Sequence, residues 1–158
     1  MRRLTLAAVA ALVVCCSSTQ VQRESRAADA IARAFNGVVR PTLVDAFETA
    51  CRAEIERVCP APPCSRVLMQ GVLRDCDNHW QPVFASYEAA RAAHDAWRLT
   101  LIRCQDAGDA GSCSLDLERD GRAVVAAVTS YRCAVRALGR PELDPLPGTV
   151  TCARDGGL

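Results

Sequence analysis

Ten cysteines punctuate this 158-residue chain, and their spacing decides what chemistry they can do. Cys15 and Cys16 are adjacent near the start; the other eight are Cys51, Cys59, Cys64, Cys76, Cys104, Cys113, Cys133 and Cys152. Thiolates hold zinc when they come as C-x-x-C pairs or with histidines at metal-ligand spacing. No C-x-x-C occurs, and neither His79 nor His94 stands beside a suitable cysteine pair. An even set of eight in a chain of this size reads instead as four disulfides, which form where the surroundings oxidise thiols. No metal is expected at these positions.

The remaining polar clusters offer less. His94-Asp95 has the residue types of a catalytic base and its partner, but neighbours on a helix point about 100° apart. His94 then falls on an apolar stripe while Asp95 faces outward, and a buried histidine with a single hydrogen bond is the expectation. The dipeptide resembles the His-Asp pair of secreted phospholipases A2, where the histidine activates water and the aspartate binds calcium. That resemblance implies a small exported hydrolase using His94. The chain lacks that family's cysteine just before the dyad and its glycine-rich calcium loop. Asp75, Asp77, Asn78 and His79 could surround a cation, but the glycine and distant glutamate of an EF-hand are missing, and turn chemistry accounts for Asp and Asn there. The stretch Asp106-Ala107-Gly108-Asp109-Ala110-Gly111-Ser112 has no lysine and no Ser/Thr in the frame of a phosphate loop. Arg91, Arg98, Arg122, Arg132 and Arg136 lie off the apolar seams, with Glu88, Asp95 and Glu118 among them, as solvated helix faces do. Trp80 and Phe84 are expected to pack against the first helices. There is no nucleophile elbow, no H-E-x-x-H and no C-x-x-C-H, so no catalytic residue and no cofactor is expected.

The first residues read Met1-Arg2-Arg3, an uncharged run from Leu4 to Val14, then Cys15-Cys16-Ser17-Ser18. A basic start, a short apolar core and a small-residue exit make an export signal; a membrane span needs roughly 20 apolar residues. The exit resembles a bacterial lipoprotein signal, in which a cysteine becomes the lipidated N-terminus. The resemblance implies residues 1–16 as a lipoprotein-like signal with the lipid on Cys16 and Cys15 removed, followed by a flexible polar tether over residues 17–24. Cys15 is the other register, disfavoured because branched Val14 would precede it; the family has Gly, Ala or Ser there, and neither register does. An ordinary secretory signal is the alternative. Losing Arg2 and Arg3 leaves 17 of 19 cations, all arginine, against 18 acids. A near-neutral chain has no broad field to attract nucleic acid or anionic lipid.

The elements that position these residues are helical. Residues 25–158 are expected as one all-α domain, a disulfide-stapled bundle with a long C-terminal antiparallel hairpin. Ser25 caps a short helix with Ile31, Phe35 and Val38 inward and Asn36-Gly37 as its stop. Thr42, with Asp45 three residues on, opens a second helix burying Leu43, Phe47, Cys51, Ile55 and Val58. Pro60-Ala61-Pro62-Pro63 breaks the chain. A third helix spans about Ser65 to Cys76, weakened by Gly71, and Asp77-Asn78-His79 turns into a fourth from about Trp80 to Gln105. Val83, Tyr87, Ala90, His94, Trp97, Leu101 and Cys104 recur along it at spacings of four and three. Leu117, Gly121, Val124, Val128, Tyr131, Val135 and Leu138 repeat that spacing after a loop, Asp106 to Ser114. Two such stripes predict antiparallel helices, with Trp97 near Gly121 and Val124, Leu101 near Gly121, and Ala90 opposite Tyr131, so that large residues meet small ones.

Eight cysteines allow 105 pairings. Helix geometry favours Cys104–Cys113 at the hairpin base, Cys59–Cys64 around the proline turn, Cys51–Cys76 outside it, and Cys133–Cys152 tying back the proline-rich tail. The Cys51–Cys76 pair faces an offset of about 6 Å between its two helical arms, which requires a stagger or a frayed end. The functional expectation is an exported, lipid-anchored, non-enzymatic envelope protein that contacts an envelope protein or cell-wall component and binds no nucleic acid. A hydrolase using His94 and a soluble secreted inhibitor or effector are the alternatives.

Overall fold

A computed structural model describes residues 33–61, 63–107, 110–144, 146 and 149–152, together with 23, 26, 30 and 31. Cys15, Cys16 and Ser25 lie outside the described residues, as does the Val38 side chain. Helical backbone at Arg23 falls inside the stretch expected as a tether. Three long helices follow: α1 (Arg40–Val58), α2 (Arg66–Ala107) and α3 (Ala110–Ala137). No strand occurs among the described residues. The fold is all-α, with α2 and α3 folded back on each other as a long antiparallel hairpin and α1 packed against α2.

Two expected breaks are absent. Asn36-Gly37 does not stop the first helix; the chain passes through a π-helical turn, Ala34–Val39, directly into α1. Gly37 is not in the left-handed region that would end a helix. Pro41 gives the physical reason for the wider turn. It has no N–H for the carbonyl four residues back, and its ring needs room there. The Arg40 N–H therefore donates to the Phe35 carbonyl, five residues earlier. Thr42 sits inside the helix, whose N-cap is Val39. The inward stripe becomes Phe35, Val39, Leu43 and Ala46, all buried.

Asp77-Asn78-His79 is likewise no turn. These residues are exposed on α2, which runs unbroken for 42 residues with Pro82 inside it. A proline in a helix interior costs about 3 kcal/mol. Here Val72, Trp80, Val83 and Tyr87 are buried on both sides of it, and burying one such side chain contributes about 1.5–3 kcal/mol. The continuous seam outweighs the local penalty. Within the stretch Asp106 to Ser114 expected as a loop, helix is described through Ala107 and again from Ala110.

The centre of the bundle is aromatic. Phe35 stacks on Tyr87 at 6.0 Å, and Tyr131 meets Phe35 at 5.4 Å and Tyr87 at 6.3 Å, both edge-on. Each phenol is satisfied on the backbone. Tyr87 donates to the Phe35 carbonyl (3.3 Å) and Tyr131 to that of Leu143 (2.8 Å). Burial pushes the Tyr131 phenol far above its ordinary range. Phe47 packs edge-on against Trp80 and Phe84, so both of those aromatics meet α1.

Four disulfides join Cys51 to Cys76, Cys59 to Cys64, Cys104 to Cys113 and Cys133 to Cys152, with Cα separations of 5.8, 6.1, 5.5 and 5.5 Å. All lie within the usual span of about 4.4–6.8 Å. The described residues between Val58 and Arg66 are not helical, and this connection absorbs the offset around Cys51–Cys76. At the end of α3, Gly139 adopts φ 75°, its N–H donates to Arg136 and the Arg140 N–H donates to Val135, the paired bonds of a Schellman cap. The tail then folds back along α3.

Arg132 departs from the expected solvated face. Its Nε donates to Asp144 at 2.8 Å and its Nη2 to the Leu146 carbonyl at 3.2 Å, under a tail that covers both charged groups. Arg136 reaches the Val150 carbonyl. We expect Asp144→Ala to cost about 3 kcal/mol, because it leaves a buried guanidinium without its counter-ion. The double replacement Arg132→Met, Asp144→Leu should recover most of that loss. Urea unfolding midpoints at unchanged m-value are the measurement.

Candidate functional site

The hairpin seam places large residues of α2 against small ones of α3, and one such meeting leaves a groove. Trp97 of α2 lies across from Gly121 of α3; a side-chain carbon built at position 121 would stand 3.8 Å from the indole Nε1. With no side chain there, the surface dips between Ile31 on one side and Leu117, Val124 and Val125 on the other, enclosing about 540 Å³. That volume falls in the range of about 300–1,000 Å³ usual for small-molecule sites. The lining is largely apolar, and Val125 is 66% exposed to solvent. At the rim, Arg122 pairs with Glu118 at 3.0 Å, four residues apart on α3, so the two charges answer each other.

The indole of Trp97 carries the chemical signal. The residue is 6% exposed, and its Nε1 has no hydrogen-bond partner among the described residues. A buried donor left unmade costs about 1–3 kcal/mol. Nothing in helix packing requires that cost, since phenylalanine would fill much of the same seam without an orphaned donor. The ionisable groups among the described lining residues are Glu118 and Arg122.

On the same seam, Thr100 donates to Asp120 Oδ2 at 2.7 Å and accepts from Arg103 Nη2 at 2.8 Å, while Arg119 Nε donates to Asp120 Oδ1 at 2.9 Å. The bond from Arg119, then that from Thr100, holds the Asp120 carboxyl below the usual carboxylate range. This cross-helix network pins α2 to α3 beside the groove.

The residues singled out from the sequence fall elsewhere. His94 is buried on the α2 stripe with its ring edge-on to Trp97 at 6.4 Å, and Asp95 is exposed, its Oδ1 3.7 Å from His94 Nδ1. His94 does not line the groove. Asp75 and His79 border a different depression, near Glu54 and Trp80, where Glu54 is taken up by Arg57 at 2.8 and 2.5 Å. Among the described residues no three His, Cys, Asp or Glu side chains converge as metal ligands. Asp106 is exposed, and residues 108 and 109 of its loop lie outside the described residues. Among the solvated arginines, Arg98 and Arg122 are exposed as expected. The groove was not expected from the sequence. Its signal is there in the apolar Leu117 and Val125 flanking a glycine that faces tryptophan. No family model, curated protein or solved structure matches the chain.

Gly121→Ala places its methyl in ordinary contact and removes a helix-interior glycine, so it should stabilise the protein by about 1 kcal/mol, read from denaturant unfolding. Asp120 contributes stability that is complete above its unfolded value near 4 and is lost as pH falls through its lower folded value. Asp120→Asn should therefore flatten the fall in unfolding free energy between about pH 5 and pH 2.

Proposed function

We propose that this chain is an exported, lipid-anchored envelope protein that acts by binding rather than by catalysis. The observation that carries the reading is the set of four disulfides, which closes where thiols are oxidised and persists outside the reducing cell interior. Among the described residues no helix is long and apolar enough to cross a membrane. The residue proposed for attachment is Cys16, which follows the short apolar leader and precedes Ser17-Ser18. A cleaved export signal, a lipidated cysteine and a stapled helical body make a rigid module held at a membrane face. The groove beside Trp97 is the surface such a module offers to a partner in the envelope.

Expressed in a bacterial host, the wild-type chain should incorporate labelled palmitate and fractionate with membranes, whereas Cys16→Ala should be exported without label. Equal labelling of the two proteins, or none of either, removes the anchor from this reading. Release of the labelled-free wild type into the medium would favour a soluble secreted protein.

A further inference from the structure

We propose that Arg23, Arg26 and Arg33 form a cationic helix face that lies on the anionic phospholipid headgroups of the membrane to which Cys16 is tethered. The inference deepens the anchoring proposed above and rests on it. Helical backbone is described at residues 23, 26, 30, 31 and 33. Arg23, Arg26, Ala30 and Arg33 follow one another at spacings of three, four and three, which puts them on one face of a helix. All four are exposed. Phe35, two residues beyond Arg33 and so nearly across the helix from it, is buried in the bundle. The arginines therefore face away from the protein. Among the described residues none of the three guanidinium groups is paired with a carboxylate.

The chain as a whole is near neutral, but its charges are unevenly placed. Residues 17–44 hold Arg23, Arg26, Arg33 and Arg40 against Glu24 and Asp29, whereas residues 45–158 hold 13 arginines against 16 acids. An anionic surface attracts the first stretch and repels the rest, which turns the arginine face toward the membrane. The one uncharged residue described within that face is Ala30, too small to wedge among acyl chains, so the contact stays at the headgroups. Guanidinium forks suit phosphate oxygens there.

The sequence distance to the anchor selects the membrane over a diffusing polyanion. Cys16 lies seven residues before Arg23. Seven residues span about 25 Å at full extension, so a lipid on Cys16 holds the first arginine near the headgroups. The contact then becomes intramolecular, and a face of three arginines that would bind weakly alone gains the effective concentration of the tether.

The test uses the processed, oxidised chain of residues 17–158, which contains every described residue and omits leader and lipid. Sedimentation with vesicles of phosphatidylglycerol, and in parallel of phosphatidylcholine, reads the bound fraction at about 10 mM salt, where the Debye length is about 30 Å. We expect binding to phosphatidylglycerol that is lost at about 1 M salt, and none to phosphatidylcholine. Replacing Arg23→Gln, Arg26→Gln and Arg33→Gln together should weaken binding by about fivefold for each arginine removed, with an unchanged unfolding midpoint. The control set Arg66→Gln, Arg74→Gln and Arg98→Gln, at exposed positions of α2, removes the same charge and should change binding less than about twofold. Equal binding to both vesicle types, no binding to phosphatidylglycerol, an equal loss from the two triple variants, or a concentration-dependent dimer that the first triple variant abolishes each overturns the proposal. Because this chain carries no lipid, any of those results leaves palmitate labelling at Cys16 standing and removes only the headgroup contact. Vesicle binding alongside an unlabelled Cys16 removes the tether and keeps the cationic face.

Discussion

Closing Cys104 onto Cys113 fixes how far α3 has slid along α2, and the rest of the structure follows from that register. Equal spacing along two apolar stripes permits several slipped pairings, each burying a similar area. The disulfide at the hairpin base, with Cα atoms 5.5 Å apart, removes the freedom to slip. Trp97 then faces Gly121, Thr100 reaches Asp120 at 2.7 Å, and Tyr87 and Tyr131 meet at 6.3 Å. A shift of one turn, about 5.4 Å, would put none of these partners together. The aromatic centre in turn receives Phe35 from the π-turn, and the docked tail receives the Tyr131 hydroxyl. Bridge, seam, aromatic centre and tail form one dependent series.

What the sequence disclosed depended on whether a feature was set by pattern or by competition. The long stripes at spacings of four and three made the α2–α3 hairpin readable, and the meeting of Trp97 with Gly121 followed from size alone. The breaks were misread because local turn signals lost to a continuous buried face. Asn36-Gly37 carries a helix-stop pattern, yet Pro41 and the inward stripe from Phe35 to Ala46 convert it into a π-turn. Asp77-Asn78-His79 favours a turn by propensity, but Val72, Trp80 and Val83 are buried along one helix through it. Arg132 was unreadable for another reason. Its counter-ion, Asp144, lies beyond two helix-ending signals, and only the fold-back of the tail brings the pair together.

The groove belongs to the same class of hidden feature. A glycine opposite a tryptophan satisfies packing, and nothing in the spacing distinguishes a filled seam from one that leaves an indole N–H without an acceptor. The histidine and the acidic cluster, which have the more familiar residue types for chemistry, are absorbed into a helix stripe and an exposed helix face. The groove comes from the absence of a side chain at Gly121, beside an indole donor at Trp97 that has no partner among the described residues. The stapled body holds both in place and, under the proposed export, would carry them to a membrane surface.

Peptide mass mapping of the unreduced protein, after alkylation of any free thiol, tests the central claim most directly. The account requires a cross-linked peptide joining Cys104 to Cys113, together with the three other pairs, and no alkylated cysteine among those eight. Alkylation of Cys104 and Cys113, or a bridge from either to another partner, would contradict it, because the register that builds the aromatic centre and the groove would then have no anchor.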